Sequence, residues 1–374
     1  MQRYHYVAPD TELIGYLNGY RGLLTGKSRV FPPPTHDLAT HLFAFGGSPI
    51  GNSRVKLSNA ADCEKKGFIK AGENPFEVAA KRLMEDKVDV LHTIGGDDTS
   101  TTAAELAKFL QQNHYPLQIV GLPKTIDNDI VPIRLSLGAT TAAEQGALFF
   151  ENIVHEHTTT PKILIIHEIM GRHCGWLTYE TARCYTERLE RRTFVSELGF
   201  PREAFEIHGV YVPESRFDLD AEVERLKPIF ERVGSLNIFI SEGVGLEAVV
   251  QVLEADGRKL ERDAFGHIKM ADVNVGSVLG KQLKERLGAE KLLVQKSGYF
   301  ARSARANAFD LNLIQSHSDY AVECAFKGKS GLIGHDTRRS GQLRCVEFEA
   351  VSGNRPLDVN APAVRDFLGS INGK

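Results

Sequence analysis

Strand-length apolar runs alternate with amphipathic segments of helical length along most of the chain, and no other feature limits the fold as tightly. The runs lie at residues 88–94, 117–122, 162–169, 208–212 and 237–241. Residues 74–87, 100–113, 219–233 and 273–287 instead set apolar side chains three or four apart opposite a charged face, which predicts helices. Strands separated by helices pair in parallel, because each crossover covers a face of the sheet and returns the chain to the same edge. The sequence therefore predicts an α/β protein with mainly parallel sheets. At 374 residues a single core usually stops growing, so two lobes with an active-site cleft between them are expected. Loops are expected at 32–34 and at 158–161, the second where one lobe can hand over to the next.

Composition narrows the partners. Forty-five basic residues against forty-eight acidic ones leave a net charge of −3, so no global field draws nucleic acid or an anionic membrane. An anionic ligand must be held by a local site. No apolar run approaches the roughly 20 residues that span a bilayer, and residues 1–10 do not read as a secretory signal. The five cysteines, at 63, 174, 184, 324 and 345, show no Cys-x-x-Cys spacing and no even framework, which fits a reducing, cytoplasmic setting.

Gly95-Gly96-Asp97-Asp98-Thr99, followed by Ser100-Thr101-Thr102, sits directly after the 88–94 strand and before a helix. Glycines let backbone approach a phosphate, free amides at a helix start donate to its oxygens, and the hydroxyls of Thr99 and Ser100 can add donors or cap the helix. Adjacent carboxylates would repel a phosphate unless a cation intervened, so one of the two aspartates is expected to face Mg2+. Taken alone, the string also suits an ordinary strand-to-helix turn. Pro123-Lys124-Thr125-Ile126-Asp127-Asn128-Asp129 follows the next strand, and in a parallel sheet both loops leave the same edge, where α/β folds bind ligands. A locally extended Asp-x-Asp would put both carboxylates on one side, one as a base and one as an orienting or metal-linked partner. Glu168-Ile169-Met170-Gly171-Arg172-His173-Cys174-Gly175-Trp176 again follows a strand and opens a helix. There Arg172 suits a phosphate or a sugar hydroxyl, or a structural ion pair. His173 and Cys174 read as packing residues, and His155 and His157 as solvated ones, since none has metal-ligand spacing.

With these motifs in this order the chain resembles the phosphofructokinases, and within them the pyrophosphate-dependent branch. Family members carry a Gly-Gly-Asp loop, a Thr-Ile-Asp-Asn-Asp loop, a Met-Gly-Arg loop, a Pro-Glu pair and a Ser-Glu-Gly strand end. Here these are residues 95–97, 125–129, 170–172, Pro213-Glu214 and Ser241-Glu242-Gly243. The resemblance spans nearly the whole chain and implies two Rossmann-like lobes. Residues 1–140 with 300–350 would form the phosphoryl-donor lobe for pyrophosphate and Mg2+, and 141–299 with 351–374 the sugar-phosphate lobe. The implied reaction moves a phosphoryl group from pyrophosphate to the C1 hydroxyl of fructose 6-phosphate, reversibly, within glycolysis and gluconeogenesis. Asp127 is then the general base, Asp97 holds Mg2+, Asp129 supports the site, and Lys124 stabilises the transferring group. Thr125, Met170, Gly171, Arg172 and Glu214 match positions that hold the sugar phosphate. Tyr299 and Arg302 form a Tyr-x-x-Arg version of its 6-phosphate site, and Lys296 is apt for a dianion.

The resemblance also bears on the phosphoryl donor. ATP-using bacterial relatives have glycine where this chain has Asp98 and Lys124. A carboxylate at 98 would obstruct and repel the α-phosphate and sugar of a nucleotide, while Lys124 adds the charge that compact pyrophosphate needs. Gly95, Gly96, Asp98, Thr99, Ser100 and Arg54 make up the expected donor site. Family chains open with a strand and a Gly-Gly-x-x-Pro-Gly-x-Asn loop that has no counterpart here; residues 12–19 already resemble the second strand, and a truncated gene start is the expected reason. A non-catalytic sugar-phosphate-binding subunit, an NAD-directed kinase and an ATP-dependent 6-phosphofructokinase are the alternatives. The family assembles as a homodimer or homotetramer. The unmatched stretches 183–202 and 250–270 read as packing or regulatory insertions with solvated charge.

Overall fold

A computed structural model describes residues 1–115, 117–255, 257–261 and 273–373, so part of the 250–270 stretch lies outside the described residues. Ten strands are found among them: β1 (Leu13–Tyr16), β2 (Ser28–Phe31), β3 (Val90–Gly95), β4 (Gln118–Pro123) and β5 (Ile163–Ile169), then β6 (Gly209–Tyr211), β7 (Ser235–Ser241), β8 (Lys291–Lys296), β9 (Gly331–Asp336) and β10 (Gln342–Val346). Backbone contacts divide the chain into one unit of Met1–Thr125, Asp129–Ala139 and Ser303–Asn354, and a second of Ile126–Asn128, Thr140–Arg302 and Arg355–Lys374. The 158–161 loop lies inside the second unit.

The first unit is built on a four-stranded sheet of order β10-β9-β4-β3, parallel except for β10. β1 stands apart from it, paired antiparallel with β2. The Pro75–Glu85 helix begins where expected because the Asn74 side chain accepts from the Phe76 amide and Pro75 fills the first helical position. Its Ala79, Ala80 and Leu83 join Ala103, Leu106 and Leu110 of the Asp97–Gln112 helix in a core closed by Ile119 of β4 and Leu332 of β9.

In the second unit β6-β7-β5-β8 is parallel throughout. Every residue of β5 and β7 is buried, as a sheet covered on both faces requires. Alternate residues serve opposite faces: Ile163 and Ile165 pack with Phe150, Tyr185 and Phe239, whereas Leu164 and Ile166 pack with Leu236, Ile238 and Leu283. The Leu219–Val233 helix has its predicted bounds because both ends are written in the sequence. Asp218 accepts from the Asp220 and Ala221 amides, and Gly234 ends the helix in the left-handed region. No helix among the described residues is long and apolar enough to cross a membrane.

Two polar residues, His167 and Glu168, interrupt the apolar β5 run. His167 is fully buried among Phe149, Phe150 and Phe239, with Nε2 2.8 Å from Ser297 Oγ, and burial pushes its pKa down to about 3. Burial likewise pushes His92 and His317 of the first unit down to about 4. An unfolded histidine takes up its proton near 6.5, so below that pH the unfolded chain binds more protons than the fold. Each such histidine should then cost about 1.4 kcal/mol of stability per pH unit, down to its folded pKa. Chemical denaturation between about pH 7 and about pH 5 should show this fall, and a flat profile would contradict it.

Candidate active site

β3 and β4 are parallel with Gly95 opposite Pro123, so the loops that follow them leave the same edge of the sheet. The Lys124 amide donates to the Gly95 carbonyl at 2.7 Å, and a Cβ on Gly96 would lie 3.4 Å from Thr125 Cβ. The helix starts at Asp97, earlier than the expected residue 100, with Gly96 as its N-cap. Asp97, Asp98 and Thr99 therefore sit in its first turn, where carboxylates meet the positive end of the helix dipole. Ser100 is buried and its hydroxyl donates back to the Gly96 carbonyl at 3.1 Å, so it neither caps the helix nor projects from it. The Tyr20 hydroxyl donates to the Thr99 carbonyl.

Asp97 is half-buried, and burial raises its pKa, with Lys56 and the Thr101 hydroxyl pulling the other way. Asp98, Lys124 and Arg54 are exposed, while Thr125 and Asp129 are half-buried. Residues 126–129 are not extended. Asn128 has φ +52°, in the left-handed region that asparagine tolerates, so the chain turns between Asp127 and Asp129 and the expected alternation does not arise. Ile126 packs on the core of the second unit, and the carbonyl of buried Asn128 accepts from Arg355 Nη2 at 2.5 Å, which fixes the half-buried Asp127 between two anchored neighbours.

In the second unit four parallel strands deliver their following loops to one edge: Met170, Gly171 and Arg172 after β5, Glu214 after β6, Glu242 after β7, and Tyr299 and Arg302 after β8. The Gly171 turn is held from both sides. Its carbonyl accepts from the Ser241 hydroxyl and its amide donates to Glu242 Oε1 at 3.3 Å. Its φ of +127° and a place for Cβ only 2.4 Å from the Cys174 carbonyl leave glycine as the residue that fits. Burial raises the Glu242 pKa, reinforced by Glu168 and opposed by the Gly171 amide, Arg172 and Lys296.

Glu214 accepts from the Gly175 amide at 2.9 Å and the Leu357 amide at 2.6 Å, so its carboxylate ties two loops together. Lys296, expected to face a dianion, is engaged at 2.7 Å by buried Glu168, whose other oxygen accepts from the Gly276 amide. Tyr299 is 84% exposed and Arg302 is exposed, both on the short Gly298–Arg302 helix.

Other expectations change. His173 is exposed, not packed, although Cys174 is buried. His155 and His157 are half-buried with their rings edge-on to Phe205, so they are not simply solvated. In the 183–202 stretch Arg183 pairs with Glu180 and Glu187, Arg188 pairs with Glu151, and Arg192 lies over the Phe205 ring. Lys56, Glu242, Gly353 and Arg355 were missed as contributors; only Glu242 carried a signal, as the middle of the Ser-Glu-Gly string.

The phosphofructokinase family model matches residues 3–325. The chain is 52% identical over 371 residues to the pyrophosphate–fructose 6-phosphate 1-phosphotransferase of Methylotuvimicrobium alcaliphilum, covering 99% of this chain and 91% of that one. It is also 52% identical over 371 residues to the protein of the same name from Mastigamoeba balamuthi, covering 99% and 90%. Among solved structures, the pyrophosphate-dependent phosphofructokinase of Marinobacter aquaeolei superposes with a TM-score of 0.66 at 20% identity, over 99% of this chain and 84% of that one. The chain belongs to the phosphofructokinase family, with the two Rossmann-like lobes of that fold.

Proposed function

We infer that this chain is a phosphotransferase that moves a phosphoryl group from pyrophosphate to the C1 hydroxyl of fructose 6-phosphate, releasing fructose 1,6-bisphosphate and phosphate. The observation that carries this reading is 52% identity along 99% of the chain to relatives named for that activity. A regulatory subunit or an ATP-directed enzyme is not favoured. A coupled assay with pyrophosphate, ATP or no donor tests it: product should form with pyrophosphate, and formation with ATP alone would overturn the donor assignment.

The donor residues are proposed in the first unit, where Gly95 and Gly96 let backbone approach the phosphates, Arg54 and Lys124 supply charge, and Asp98 and Thr99 border the helix start. Ser100 supports this turn from beneath. Asp97 suits Mg2+: its carboxylate is half-buried, and Gly353 leaves open the space in which it sits. No cluster of three metal-binding side chains occurs among the described residues, and Mg2+ on a phosphate chain takes only one or two carboxylates. When bound, the ion offsets the negative charge of the transferring group. An alcohol is a weak nucleophile, so Asp127 takes the C1 hydroxyl proton as the oxygen attacks, and Asp129 supports that loop. Breaking a phosphoanhydride while making a phosphate ester leaves a small energy gap, which suits a reversible step in glycolysis and gluconeogenesis. The enzyme is proposed to work in the cytoplasm as a homodimer or homotetramer, which its five free cysteines suit.

Thr125, Met170, Gly171, Arg172, Glu214, Tyr299 and Arg302 are proposed to hold the sugar phosphate, with Glu214 acting through the amides it fastens. Arg172→Ala and Arg302→Ala each delete a charge-assisted donor, so each should weaken fructose 6-phosphate binding by about 10- to 100-fold. Pyrophosphate binding should hold in both. Calorimetry with each substrate separates the two effects, and unchanged sugar-phosphate affinity would misplace the acceptor pocket.

A further inference from the structure

The segment around Ser352 is pinned to the chain after Asp129. The Val131 amide donates to the Ser352 carbonyl at 2.7 Å, and the Ser352 amide returns the bond at 3.1 Å. The next residue, Gly353, faces Asp97 so closely that a Cβ built on it would lie 1.9 Å from Asp97 Cγ, 2.0 Å from Oδ1 and 2.3 Å from Oδ2. Gly353 does not lie in the left-handed region, so its backbone alone would accept alanine. Glycine is needed there for space, and the space is filled by one carboxylate. The backbone of Asp97 is fixed in the first turn of the Asp97–Gln112 helix, so a methyl group at 353 requires the carboxylate to turn away and the Gly353 turn to give slightly against the Asp97 Cβ. That rotation would disturb the Thr101 hydroxyl bond and the approach to Lys56 that now favour the ionised group.

We propose that Gly353 is a positioning residue of the phosphoryl-transfer reaction: its missing side chain holds the Asp97 carboxylate where it meets Mg2+ on pyrophosphate. The proposal rests on the reading of Asp97 as the metal-linked carboxylate. Because the closest approaches are to the carboxylate, Gly353→Ala should cost the site more than the fold.

Four full-length proteins test it: wild type, Gly353→Ala, Asp97→Ala and the double variant. Gly353→Ala should lower kcat by about 10- to 100-fold and raise the Mg2+ concentration for half-maximal rate by about tenfold, leaving the KM for fructose 6-phosphate unchanged. Calorimetry should show weakened binding of magnesium pyrophosphate and unaltered binding of fructose 6-phosphate. In the Asp97→Ala background, where the carboxylate is gone, adding Gly353→Ala should leave magnesium pyrophosphate binding unchanged. An inactive Asp97→Ala protein beside a Gly353→Ala protein with wild-type kcat and Mg2+ dependence would overturn the proposal. An Asp97→Ala protein with wild-type turnover would instead overturn the metal reading beneath it. If Gly353→Ala alone fails to fold, its combination with Asp97→Gly, which also removes the Asp97 Cβ, decides: a folded one supports steric coupling to Asp97, and an unfolded one refutes it.

Discussion

Asp127→Asn is expected to lower turnover by about 10²- to 10⁴-fold while fructose 6-phosphate still binds. The substitution keeps the shape of the side chain and removes its capacity to take a proton from an alcohol. The fold should not respond, because the loop is held by its neighbours: Ile126 in the core of the second unit and the Asn128 carbonyl on Arg355. A loss of turnover can therefore be read as lost chemistry and not as a displaced loop. Steady-state rates paired with calorimetry of fructose 6-phosphate make the separation. Turnover within about threefold of wild type would remove Asp127 from the role of base, since general-base catalysis contributes far more than that. Weakened sugar-phosphate binding with an equal fall in kcat/KM and little change in kcat would assign it to binding instead.

The central strands β5 and β7 were legible because burial on two faces forces near-continuous apolar runs, whereas the half-exposed β8 and β10, with β2 and β9, were not read as strands. Helix ends were legible where a side chain caps them, as Asp218 and Asn74 do. The start of the Asp97–Gln112 helix was not, since Gly96 offers no side-chain cap and Asp-Asp-Thr-Ser reads equally as loop. Its consequence is local but chemical: both aspartates lie inside the helix turn, and Ser100 is turned inward. The turn at Asn128 was hidden for a related reason, because alternation of types predicts an extended chain only if no residue between takes a positive φ.

Contacts made far along the chain were the least legible. Nothing near Gly353 announces Asp97, and nothing near His155 or His157 announces Phe205. Lys296 illustrates the cost: read alone it is a cation ready for a dianion, yet buried Glu168 already engages it. A buried carboxylate must be paired or hydrogen-bonded, so the fold's own need for a partner takes precedence there.

Removing Asp98 is expected to raise ATP-supported turnover relative to pyrophosphate-supported turnover by about tenfold, corresponding to about 1.4 kcal/mol of relieved exclusion. Asp98 is exposed in the first turn of its helix, so its charge has two roles that must be separated. It favours the positive end of the helix dipole, a contribution of about 0.3–1 kcal/mol to stability, and glycine there adds about 1 kcal/mol of helix cost. Asp98→Ala keeps helix propensity and removes the same carboxylate, so a gain in ATP use shared by Asp98→Gly and Asp98→Ala belongs to donor exclusion and not to loosened backbone. Lys124→Gly acts on the other side of the balance. Lys124 is exposed just beyond β4, its amide on the Gly95 carbonyl, and loss of its charge should cut pyrophosphate-supported kcat by about 10²- to 10³-fold before it alters sugar binding. The double change Asp98→Gly with Lys124→Gly should then prefer ATP, not because adenine is newly recognised but because pyrophosphate loses its attraction while the nucleotide loses its obstacle. If neither Asp98 variant gains in the ATP-to-pyrophosphate rate ratio, Asp98 does not exclude nucleotides, and its carboxylate serves the helix start or the metal instead.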